Sequence, residues 1–137
     1  MADLSITAAN VAAGSGAKTT TGTAGASVTA GQVVYYDSAT ANYKLADTDS
    51  ATAAARSPAG IALHAAASGQ PLTILQSGPI TIGATVAVGV SYWLSGTAGG
   101  ICPVADVAAG DYPVIVGIGT STSVIKVQFL EAGAVMV

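Results

Sequence analysis

Apolar and polar positions alternate in short runs along this chain, and no stretch sustains a helical period. Val33, Val34, Tyr35 and Tyr36 form a β-prone run. The turn-rich DSATAN follows, and Tyr43 and Leu45 supply a returning strand, so residues 25–47 read as a hairpin. Residues 60–66 (GIALHAA) and 71–76 (PLTILQ) read as strands with Ser68-Gly69 as the turn between them. Residues 79–83 and 85–90 alternate with glycine breaks, 91–94 (SYWL) is a strand, and the chain then turns at SGTAGG. Residues 104–113 predict a loop or brief helical turn stopped by Gly110 and Pro113. Residues 114–119 and 123–130 predict a hairpin across Thr120-Ser121-Thr122. Residues 48–57 predict one short helical turn, capped by Asp49 or Ser50 and closed by Pro58. About ten to twelve short strands separated by turns predict an all-β fold, a small barrel or sandwich.

Two of these stretches echo one another. Gly25, Ala26, Val28 and Gly31 answer to Gly83, Ala84, Val86 and Gly89. Tyr35-Tyr36 answers to Tyr92-Trp93, Thr40-Ala41 to Thr97-Ala98, and Ala46-Asp47 to Ala105-Asp106. Further on, Gly60-Ile61 answers to Gly117-Ile118, and Leu72 to Leu75 with Gly78 answers to Ile125 to Leu130 with Gly133. The pattern predicts two copies of one β-unit, 25–80 and 83–137, that pack on each other because neither buries its own face alone. Residues 1–24 stand outside both copies as a Gly/Ser/Thr/Ala-rich arm. Its composition offsets little of the entropy of ordering, so it reads either as a flexible tail or as an extended arm that orders only against a neighbouring subunit.

Composition changes the picture. The chain has 137 residues, enough for one domain with a real core. Only 8% are charged, against about 25% in a typical soluble domain. A surface made largely of Ala, Ser, Thr and Gly is poorly defended against association, which points to life in an assembly. The net charge of −3 and the lack of a basic patch argue against nucleic-acid binding. No run approaches the roughly 18 apolar residues of a membrane span, so no membrane partner is expected. The start, MADLSITAAN, lacks the basic region of a secretory signal, which predicts cytoplasmic synthesis.

Candidate chemistry is sparse. Cys102 is the one cysteine and reads as a buried thiol. His64 is the one histidine and reads as structural. Asp47-Thr48-Asp49 resembles the start of a calcium loop but lacks the glycine and closing Glu that such a loop needs. No phosphate loop, nucleophile elbow or paired-acid spacing is present. No catalytic, metal or cofactor residue is assigned. Candidates for a contact surface are the arm's Leu4 and Ile6, the paired aromatics Tyr35, Tyr36, Tyr92 and Trp93, and Val135 and Val137 in the apolar tail. In a strand one member of each aromatic pair faces outward, and aromatics are enriched at interfaces. The tail is expected to pair as a strand, within its own chain or with another.

The order of several pieces carries a resemblance. Gly60-Ile61-Ala62-Leu63, Ala66-Ala67-Ser68-Gly69-Gln70, Gly78-Pro79-Ile80, Tyr92-Trp93-Leu94-Ser95 and Thr97-Ala98-Gly99-Gly100-Ile101 with Pro103 together resemble the small head decoration, or cement, proteins of tailed bacteriophages. The doubled aromatics and the apolar tail depart from that pattern. The resemblance implies a non-enzymatic protein on the outer surface of an icosahedral capsid, made in the bacterial cytoplasm. Its partners would be the phage major capsid protein and itself, as a homotrimer before a homodimer, clamping neighbouring shell subunits. A tail, fibre or neck accessory protein is the rival from the same world. A glycan- or receptor-binding β-module is the rival from another class, and would need an exposed aromatic cluster beside acids and amides. On this reading, removal of residues 2–20 weakens shell binding and leaves the β-fold intact. Tyr92→Ala or Trp93→Ala lowers oligomer stability.

Overall fold

The structure, a computed structural model, describes residues 3–48, 50, 52–103, 107 and 109–131. The described chain is nearly all β in class, 46% strand and 6% helix, with one curled antiparallel sheet that forms a half-barrel. The strands are β1 (Val11–Ala13), β2 (Lys18–Thr23), β3 (Val33–Asp37), β4 (Asn42–Leu45), β5 (Gly60–Ala62), β6 (Pro71–Ile82), β7 (Ser91–Leu94), β8 (Ile101–Pro103), β9 (Val114–Gly119) and β10 (Val124–Glu131). Single turns of 3-10 helix cover Ala8–Asn10 and Ala53–Arg56.

The sheet order β4-β3-β5-β6-β10-β9-β7-β8 reads the same from both ends. The hairpin β3–β4 is matched by β7–β8, β5 by β9, and β6 by β10, which are the elements the internal echo pairs. Only Ala105-Asp106 and Gly133 of that echo lie outside the described residues. The two halves meet where β10 pairs with β6 in the register Ile125↔Ile80 and Val127↔Gly78. Backbone bonds draw the far ends together as well. Val33 N–H donates to Gly99 O at 3.0 Å, Gly99 N–H to Ala46 O at 2.6 Å, and Thr48 N–H to Ser95 O at 3.2 Å.

The strand β6 merges two segments, 71–76 and 79–83, that the sequence pattern reads as separate strands. Its first part pairs with β5 through Ile74 and Leu75, and its second with β10. Gly78, at φ 99°, bends the strand between them without ending it. Pro79 sits at this irregularity, where a missing N–H is tolerated. Residues 85–90, expected as a strand, instead form a turn, with Gly89 at φ 79°.

The arm is corrected by the structure. Residues 11–13 and 18–23 lie antiparallel along β6 of their own chain, from Val11↔Ile82 to Thr23↔Pro71. Leu75 pairs with both Thr19 and Ile61, so β2 occupies the edge of β6 opposite β5. Before β1, Leu4 N–H donates to Ile101 O at 2.8 Å and the Ser95 hydroxyl donates to Asp3 at 2.6 Å. Threonines suit a strand, and the free edge of β6 supplies the hydrogen bonds that low complexity alone could not. Residues 3–23 thus belong to the domain, and removing residues 2–20 strips strands from it.

Two clusters form the core. The main one joins both halves: Val33, Ile61 and Leu75 from the first, Tyr92, Leu94, Val116 and Ile125 from the second, with Ile80 and Ile82 of β6. A second cluster, Val34, Ala62, Leu72 and Ile74 beneath Ala24, Val28 and Ala66, covers the outer face of the first half. Adjacent residues in a strand face opposite ways, so Val33-Val34, Ile61-Ala62 and Ile74-Leu75 each feed both clusters. That is why the first half carries unbroken apolar pairs, as sheets covered on both faces do. The 3-10 turn at Ala53–Arg56 packs beside β3. Ser50 accepts the Thr52 N–H at 3.1 Å, and Arg56 lies 3.6 Å above the Tyr112 ring. Asp49, the other cap expected there, lies outside the described residues.

Candidate functional site

The alternation of β3 and β7 decides which aromatics reach the surface. Tyr35 packs against the main core while Tyr36 is 47% exposed. Tyr92 is buried and its hydroxyl accepts the Ala87 N–H at 2.9 Å, whereas Trp93 points outward, half-buried. Tyr35 and Tyr92 therefore leave the set of contact candidates, because the inward position of each pair belongs to the core. Leu4 and Ile6 leave it too, since both pack on the main core of their own chain. Val135 and Val137 lie outside the described residues.

Two outward surfaces remain. The first is the β3–β4 hairpin. Tyr36 meets Tyr43 edge to face with ring centres 5.3 Å apart. On the opposite face of the hairpin, with Tyr35, Lys44 donates to Asp37 at 2.7 Å, and by the turn the Thr40 hydroxyl donates to Asn42 at 2.8 Å. Lys44, together with the Ala39 N–H, holds the Asp37 carboxyl below its ordinary range, and Asp37 in turn holds the Lys44 ammonium above its own. The acid and the amide that a glycan site would need are thus engaged within the hairpin.

The second surface is the outer face of β7, β9 and β10. Trp93 stands opposite Ile115, and Ile115 opposite Leu130, so three apolar side chains form a row across three strands. Ser91, Ile118 and Lys126 form the next row. Ile118 is 49% exposed and Leu130 54%. A bulge between the Gly117 and Ile115 pairings sets the faces: Val116 and Gly117 turn inward and both isoleucines outward. Hollows of about 330 and 390 Å³ open on this face. Sequence reasoning singled out Trp93 here but missed Ile115, Ile118 and Leu130. The run VIVGIG had a visible strand signal, but which of its residues face outward depends on the bulge.

Reactive groups are not gathered anywhere among the described residues, and no group of three His, Cys, Asp or Glu is placed to hold a metal ion. His64 is tied into backbone, its Nε2 accepting the Thr73 N–H at 3.0 Å and its Nδ1 facing Ala65 O at 2.9 Å. Cys102 is buried in the core. Thr48, in the calcium-like triplet, is fully buried and donates its hydroxyl to Tyr112 O. No helix among the described residues is long and apolar enough to cross a membrane. Comparison of the chain with family models, curated proteins and solved structures gives no match.

Proposed function

We propose that this chain is a non-enzymatic structural protein that binds the outer surface of an icosahedral phage capsid and stabilises it by clamping neighbouring major capsid subunits. The observation that carries this reading is the row Trp93–Ile115–Leu130, apolar side chains on the outer face of the sheet, half-buried at Trp93 and Ile115 and 54% exposed at Leu130. Monomeric proteins seldom leave such a row to water, and one without convergent polar groups suits a protein contact better than a small ligand. The order of Gly-Ile-Ala-Leu, Gly-Pro-Ile and Tyr-Trp-Leu-Ser along the chain contributes the resemblance to capsid cement proteins. Energetics are compatible with that role. Burial contributes roughly 25 cal/mol per Å² before association costs are subtracted, so each contact is modest. Repetition over a lattice turns modest contacts into avidity.

The test is co-sedimentation of the purified protein with expanded phage shells that lack it. The expected result is saturable binding at a fixed ratio to shell subunits, with a raised shell melting temperature. If the protein stays in the supernatant with every shell tried, the reading fails, and a tail or fibre component or a glycan-binding module takes its place.

A further inference from the structure

We draw no further inference here: the strongest candidate, the apolar outer face of β7, β9 and β10 around Trp93, Ile115 and Leu130, carries none because nothing in the structure shows what covers it.

Discussion

At the scale of single residues, the fold separates side chains that look alike in the sequence. Tyr92 and Trp93 are neighbours, yet Tyr92 supports the core and Trp93 does not. Tyr92→Phe removes the acceptor of the Ala87 N–H and is expected to cost about 1 kcal/mol. Tyr92→Ala also opens a cavity in the main core, for about 3–5 kcal/mol. Trp93→Ala should leave the melting temperature nearly unchanged at low concentration, so thermal melts of the three variants separate the roles. A fall for Trp93→Ala as large as for Tyr92→Ala would place both in the core. Asp37 and Lys44 give a pH-dependent prediction. The Asp37 carboxyl is held down by the Lys44 ammonium, so its stabilisation is complete above the ordinary carboxylate range and is lost as pH falls through its lowered value. Lys44 is held up by Asp37, so its stabilisation is present below the ordinary lysine range and is lost as pH rises through its raised value. Lys44→Gln should move the Asp37 titration, followed by NMR, upward. A titration that does not move would mean that the pair does not hold in solution.

At the scale of elements, β6 organises the molecule, because β1, β2, β5 and β10 all pair with it. Its continuity through Gly78 was not legible in the sequence. Ser-Gly-Pro is a turn signal, and only the partners on both sides of β6 make a bend cheaper than a turn. The arm was illegible for the same reason. Lys18–Thr23 has no apolar stripe to announce a strand, and its ordering comes from the edge of β6. Hairpins with local signals, β3–β4 and β9–β10, were legible, since turn residues and alternation lie within a few positions. In the contact face the sequence showed that one of Tyr92 and Trp93 faces outward but not which, while Ile115 and Leu130 depended on a bulge that no local pattern announces. Gly78→Ala tests the bend. Its φ of 99° disfavours a side chain, and a Cβ there would meet the Ala17 backbone at 2.9 Å. The expected loss is of order 1–3 kcal/mol by chemical denaturation, and an unchanged midpoint would show that β6 bends elsewhere. Removing residues 2–20 should cost on the order of 3–5 kcal/mol, because it bares the edge of β6 and the core beneath Leu4, Ile6 and Val11. Full stability in the truncated chain would return the arm to the role of a free appendage.

At the scale of the whole molecule, the palindromic strand order implies that neither half is a folding unit. Of the fourteen buried residues in the main core, seven follow residue 88, so a cut there leaves each piece with half an interior. The second cluster does not rescue the first piece, because alanines make up three of its seven buried members and bury little area each. The turn at 85–90 is the natural place to cut: Val88 is 67% exposed and Gly89 holds a positive φ. Fragments 1–88 and 89–137 are each expected to show no cooperative thermal transition. Mixed at equal concentration, they should regain the β-sheet spectrum and a single melt, since β6 and β10 reform the seam in the register Ile125↔Ile80. Cooperative melting of fragment 1–88 by itself would mean that the first half is a stable domain without the second.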